Sequence, residues 1–310
     1  MTRWNRSFLT VSLSMLFAGS LYSQELPQEG PVPTTALVMV ESKSNQPLDP
    51  AQLKLTVKGH ESPITAVNPI RPGATEVAIL IDDGLRGSFD LQLKDIGDFI
   101  NSLPQGVKVL VGYMQNGEVR ATLPQFSTDH AAVAGSLRVA LSAGGISASP
   151  YFSLSEFVKH WPSAQRGPRF VLMVTNGVDP YNGRPSVMNE DSPYVQEAQD
   201  AAQREGVPVY SIYYGDRGVR GGGARFSGQN YLEQIGEATG GELLSGGITP
   251  VSFAPFLKQF NKAILESYTV SFMANPNREK PDTLSQIKLK TTHPGVKLHT
   301  PDSVRPGTVE

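Results

Sequence analysis

The stretch Glu76 to Ser88, E-V-A-I-L-I-D-D-G-L-R-G-S, constrains this chain more than any other. Val77 to Ile81 is a continuous apolar run. Its length and branched residues suit a strand buried on both faces, as in the middle of a parallel sheet. It stops at two adjacent carboxylates, Asp82 and Asp83, and a helical pattern begins just past Gly84 and Gly87. Carboxylates between the C-terminal end of such a strand and a helix N-terminus lie where open α/β sheets bind ligands.

Strand and helix patterns alternate from there onward. Phe89, Leu93, Ile96, Ile100 and Leu103 form an apolar stripe that predicts a helix over 88–103, stopped by Pro104 and Gly106. Val107 to Tyr113 reads as a second core strand, and Asn116-Gly117 as a hairpin turn returning antiparallel over 118–123. A second helix is expected from Thr128-Asp129 through Val133, Leu137 and Leu141 to Gly144-Gly145. Ser149-Pro150 and Ser192-Pro193 are N-cap and first-turn pairs opening two more helices. Phe170 to Val174 and Val207 to Tyr213 are further core strands, and Glu242 to Leu244 a short one. Gly215 to Gly228 reads as a Gly/Arg surface loop, followed by a helix through Tyr231 and Ile235. A last helix lies between Thr249 and Ser267.

Outside this centre the period changes to two. Ala36 to Val40, Leu53 to Val57 and Ile64 to Val67 are strand-like before it, with 59–62 as a turn; Tyr268 to Phe272, Ile287 to Leu289 and Val296 to Leu298 are strand-like after it. Neither end can bury a core alone. The expectation is an α/β doubly wound, mostly parallel sheet over residues 76–267. It is flanked by one small β-sandwich built from residues 24–75 and 268–310.

Residues 1–23 read as a secretory signal: Arg3 and Arg6 precede an apolar stretch from Phe8 to Leu21 that is shorter than the ~20 residues a span needs. The expected address is extracytoplasmic, periplasmic or secreted, with no membrane insertion after cleavage. The 310 residues contain no cysteine, which excludes disulfides and thiolate chemistry. A formal net charge of −2, spread along the chain, gives no reason to expect nucleic acid as a partner.

Three places carry a resemblance to von Willebrand factor type A domains, covering Glu76 to about Ser267. They are the V-A-I-L-I-D-D-G-L-R-G-S stretch, Gly144-Gly145-Ile146-Ser147, and V-L-M-V-T-N-G-V-D ending in Asp179. The flanking segments resemble those of a bacterial VWFA-related group. The resemblance implies a crest of loops at the strand ends that recognises protein partners, and a divalent-metal site there built from an Asp, two Ser, a Thr and a second Asp. This sequence keeps the first as Asp82. Gly84 and Arg86 stand at the two Ser positions, Ile146 at the Thr with Ser147 beside it, and Asn176 at the second Asp.

So depleted a donor set leads to the expectation that no cofactor is bound, with Arg86 standing in for the cation and pairing with Asp82 or Asp83. The alternative is a weak Mg²⁺ or Ca²⁺ site using Asp82, Ser88, Asn176 and Asp179, since such ions take oxygen ligands. The partner-binding surface is assigned to Asp82, Asp83, Arg86, Ser88, Ser147 and Asn176. Tyr181 to Pro193 is a long polar loop beside it, containing residue types common at interfaces. A Ser88–His160–Asp179 triad would be conceivable on paper, but no G-x-S-x-G elbow supports it. The expected function is a non-enzymatic adhesion or scaffold module; the second reading is a structural subunit of an envelope assembly, contacting partners through its β segments.

Overall fold

The computed structural model describes residues 30–309 apart from 43–47, 143–147, 184–185, 187, 189, 216–221, 246–249 and 278. The expected signal over 1–23, the Gly144–Ser147 motif and part of the Gly/Arg loop therefore lie outside the described residues.

In chain order the elements are β1 (Val32–Ser42), β2 (Leu53–Val57), β3 (His60–Ser62), β4 (Ile64–Pro69), β5 (Glu76–Asp82), α1 (Leu93–Ser102), β6 (Lys108–Gln115), β7 (Glu118–Ala121), α2 (His130–Gly135), α3 (Pro150–Lys159), β8 (Arg169–Thr175), α4 (Pro193–Arg204), β9 (Val209–Tyr213), α5 (Gly222–Thr239), β10 (Leu243–Ser245), α6 (Ala254–Leu265), β11 (Ser267–Ala274), β12 (Ser285–Thr291), β13 (Val296–His299) and β14 (Ser303–Val304).

The central sheet has the order β10-β9-β8-β5-β6-β7. Its strands are parallel except β7, which returns from β6 through Asn116 and Gly117, both at positive φ. That conformation is what the Asn-Gly pair supplies. β5 is buried along its whole length. Its side chains alternate between two cores: Val77, Ile79 and Ile81 pack on one face with α1, α2 and α6, and Ala78 and Leu80 on the other with α3, α4 and α5. The doubly wound α/β class expected from the apolar runs is the one observed.

The chain's two ends meet in a β-sandwich. One sheet has the order β13-β1-β11-β4, the other β14-β12-β2-β3. Ala36, Val38, Leu55, Phe272, Ile287 and Leu289 share its core. β1 is the join: Ala36 and Val38 face the sandwich, whereas Leu37 and Met39 pack into the α/β core.

Three sequence expectations need correction. His60–Ser62 is strand β3 rather than a turn, because it pairs antiparallel with β2. α2 ends at Gly135 instead of running on through Leu141. Beyond it the chain is drawn to the end of β5: the Leu141 N–H donates to Asp83 at 2.9 Å, and Leu141 itself is exposed. α5 starts at Gly222, inside what reads as a loop. Two glycines permit this. A Cβ at Gly228 would lie 2.2 Å from the Asn176 carbonyl oxygen, and one at Gly177 would lie 2.4 Å from that of Gly228. Only bare backbone lets α5 approach the β8 exit loop so closely.

Candidate functional site: the strand-end crest

β5 connects onward to β6 on one side of the sheet, and β8 connects onward to β9 on the other. The C-terminal ends of β5 and β8 therefore flank the point where the strand order reverses, the usual ligand crevice of such sheets. Asp82 ends β5 and Thr175 ends β8. Here the two are joined directly. The Thr175 hydroxyl donates to Asp82 Oδ2 at 2.7 Å and accepts the Gly177 N–H at 3.1 Å. Asp82 Oδ1 accepts the Gly84 N–H at 2.9 Å. The Tyr151 hydroxyl, from the first turn of α3, donates to the Gly177 carbonyl at 2.6 Å and so ties that helix to the same loop. Burial first, then the nearby Asp179, Tyr231 and Asp82, hold the Tyr151 phenol well above its ordinary pKa, so it stays a donor.

Asp83 points the other way and is fully buried. Its carboxylate takes a two-pronged ion pair from Arg138, Nη1 to Oδ1 and Nη2 to Oδ2, each at 2.8 Å. It also accepts from the Leu141 N–H and from the Gln115 side-chain amide. Arg138 in turn lies over the Tyr113 ring, 3.7 Å from its centre, and its backbone N–H and carbonyl both bond the Tyr113 hydroxyl. Burial alone would raise the Asp83 pKa; the Arg138, Leu141 and Gln115 hydrogen bonds and the guanidinium charge outweigh it, and the net direction is down. The cation that meets Asp83 is thus Arg138. Sequence reading missed it, since Arg138 lies 55 positions away in a stretch that looked helical. The available signal was that a carboxylate at the end of a buried strand requires a partner.

The remaining expected site residues fall as follows. Asp82 is 2% exposed and Asp83 0%, so both lie beneath the surface of the crest. Arg86 and Ser88 are exposed on the turn that follows β5. Ser88 Oγ is bonded by the Tyr214 hydroxyl at 3.1 Å. Asn176 is half-buried, and its Oδ1 accepts the Val178 N–H at 3.0 Å. Ser147 is outside the described residues. Asp179 is spent on local structure: Oδ1 accepts the Tyr181 N–H, and Oδ2 accepts Ser192 Oγ, the residue capping α4. The Ser88–His160–Asp179 arrangement does not assemble. His160 is exposed and bonds within its own helix to Glu156.

Among the described residues the donor set for a hard divalent cation is poor: both oxygens of Asp82 and of Asp179 accept hydrogen bonds, Asn176 Oδ1 closes its own turn, and Gly84 and Arg86 offer no oxygen side chain. Among the described residues, no group of three or more His, Asp or Glu side chains is placed to hold a metal ion.

Beside the crest lies a cluster of aromatic rings. Phe152 of α3 packs against Tyr181 and Tyr194 with ring centres 5.1 and 4.9 Å apart. Tyr181 is 56% exposed and Met188, in the same loop, 83%. At the hairpin tip, a Cβ added to Gly117 would lie 3.4 Å from that of Phe152.

No family model and no curated protein sequence matches the chain. Among solved structures, it is similar to a von Willebrand factor type A protein from Catenulispora acidiphila, with 11% identity over 88% of this chain and 73% of that one and a TM-score of 0.45. It is similar to the conserved hypothetical protein BatB from Bacteroides thetaiotaomicron, with 14% identity over 61% of this chain and 97% of that one and a TM-score of 0.43. It is also similar to proximal thread matrix protein 1 from the mussel byssus, with 17% identity over 64% of this chain and 48% of that one and a TM-score of 0.44. That structure has zinc in its MIDAS motif. The type A-like α/β arrangement of residues 76–267 rests on this chain's own sheet order, parallel crossovers and two-faced core.

Proposed function

We propose that the chain is an exported, non-catalytic protein-binding module, of adhesion or scaffold type, that presents the strand-end crest without a bound metal. The observation that carries this reading is the surface formed by exposed Arg86 and Ser88, with the Phe152–Tyr181–Tyr194 cluster close by. Aromatic and arginine side chains at a rim of this kind are the groups that dominate protein interfaces. Asp82 and Asp83 act from below, holding the loops that carry the contact residues. Asn176 shapes the adjoining loop. Arg86 would meet an acidic group on the partner through a charge-assisted hydrogen bond. Export rests on the signal-like residues 1–23; among the described residues, no helix is long and apolar enough to cross a membrane.

The second reading, a structural subunit docked through its β segments, draws on β4. This strand is an edge of its sheet and could accept a partner strand. Cross-linking pull-downs from envelope fractions, with Arg86→Glu plus Tyr181→Ala against a β4 variant, Ala66→Pro, separate the two. Loss of capture in the crest variant alone supports the crest. Loss in the β4 variant alone transfers the function to the sandwich.

A further inference from the structure

A cavity of about 280 Å³ opens at the other end of the central sheet and is lined by Arg166, Arg169, Arg305, Thr308 and, as the one carboxylate among the described residues, Glu205. Arg169 is the first residue of β8 and Thr175 the last. At a rise of about 3.3 Å per residue the cavity and the crest are separated by roughly 20 Å. We propose that this cavity binds a tetrahedral oxyanion, a phosphate or a phosphate monoester.

The three guanidinium groups are poorly matched by what surrounds them. Arg166 is exposed, and its guanidinium makes neither an ion pair nor a hydrogen bond among the described residues. Arg169 is mostly buried. Its Nε is shielded from solvent and has no hydrogen-bond partner. The nearest carboxylate, Glu76, stands 4.0 Å away and is already committed to Trp161 Nε1 at 2.7 Å and Ser163 Oγ at 2.6 Å. Arg169 Nη2 donates to the carbonyls of Ser163 and Gln165, and the guanidinium lies 5.2 Å from the centre of the Trp161 ring. Arg305 is shared between Glu205 at 3.7 Å and Asp282 at 3.6 Å, both beyond hydrogen-bond reach, and its Nε meets Thr308 Oγ1 at the 3.5 Å limit.

Three guanidinium groups around one cavity, with Arg166 unpaired among the described residues and the carboxylates of Glu76, Glu205 and Asp282 all 3.6–4.0 Å from the other two, leave donors free for an anion. Several guanidinium forks around one cavity suit phosphate, whose oxygens point in four directions, better than a planar carboxylate, which one fork satisfies. The volume exceeds that of a bare phosphate and leaves room for an ester group. The lining comes from both parts of the fold: Arg166 and Arg169 lead into β8, whereas Arg305 and Thr308 belong to the tail that follows β14. A bound oxyanion would therefore fasten the tail to the α/β unit.

Calorimetric titration of the full chain with inorganic phosphate, and separately with glycerol phosphate, tests this at ionic strength fixed with chloride. Saturable binding is expected, with a dissociation constant at least tenfold weaker in Arg166→Gln. That side chain is exposed and without partners, so folding is not at issue. Tighter binding of the ester than of inorganic phosphate would assign the site to phosphate monoesters; the reverse order would assign it to the free ion. No saturable binding of either, or binding left unchanged in both Arg166→Gln and Arg305→Gln, would overturn the proposal. The crest variants should bind phosphate normally, so this result is independent of the partner-binding reading.

Discussion

Asp83 accepts hydrogen bonds from two nitrogens of Arg138, from the Leu141 backbone and from Gln115 while buried out of contact with solvent. Removing the guanidinium in Arg138→Met should cost about 2–3 kcal/mol, because a buried carboxylate loses its countercharge. The pH dependence has a definite sign. The folded-state pKa of Asp83 is depressed, so its stabilisation is complete above the unfolded value of about 4 and is lost as pH falls through the lower folded value. In Arg138→Met, burial acts against a weaker set of partners and the folded pKa rises. The deficit of that variant relative to the parent should then narrow as pH falls through about 4. Urea unfolding at pH 7, 5 and 3.5 measures both effects; a deficit that stays constant with pH would show that the ion pair does not set the acid limb.

At the scale of elements, the close approach of α5 to the β8 exit loop is the feature most sensitive to a single methyl group. Gly228→Ala places a Cβ against the Asn176 carbonyl and should destabilise by about 2–3 kcal/mol, with the Thr175–Asn176–Gly177 loop displaced. Gly135→Ala, where nothing lies within 4 Å, should be neutral or stabilising by about 0.5 kcal/mol. Thermal melts of the two variants read this contrast, and equal losses would refute the packing argument. What was legible in the sequence follows the same division. The hairpin at Asn116-Gly117 and the capped start of α4 at Ser192-Pro193 are local chemistry, and they stand where they were read. So do the buried strands, whose apolar runs need no distant information. The early end of α2, the extension of α5 and the Arg138–Asp83 pair are all set by contacts between segments far apart in the chain. The local pattern over 133–141 favours helix, and it is overridden by what Asp83 requires. Asp82 could be placed at the crest from its position at the end of an apolar run. That the Thr175 hydroxyl meets it there depends on the register of β5 with β8, which no local pattern encodes.

Over the whole molecule, β1 holds the two units together. It pairs with β11 from Val32 to Met39 and buries side chains into the sandwich on one face and into the α/β core on the other. An element shared in this way couples the units, so heating should give one cooperative transition, with calorimetric and van't Hoff enthalpies equal. Deleting residues 268–310 removes β11 to β14 and exposes both edges and the sandwich face of β1; that fragment should lack a cooperative melt, and a fragment that melted sharply would show the α/β unit to be independent. The same economy holds at the crest, where the switch point of the sheet is closed by Asp82 and Thr175 and its neighbouring charge is met by Arg138. The most direct test of that account is a thermal melt of residues 24–310 with EDTA, Mg²⁺, Ca²⁺, Mn²⁺ or Zn²⁺. A ligand that binds only the folded state raises the melting temperature by mass action. The account predicts the same melting temperature in all five conditions; a saturable rise with one cation, abolished in Asp82→Asn, would contradict it.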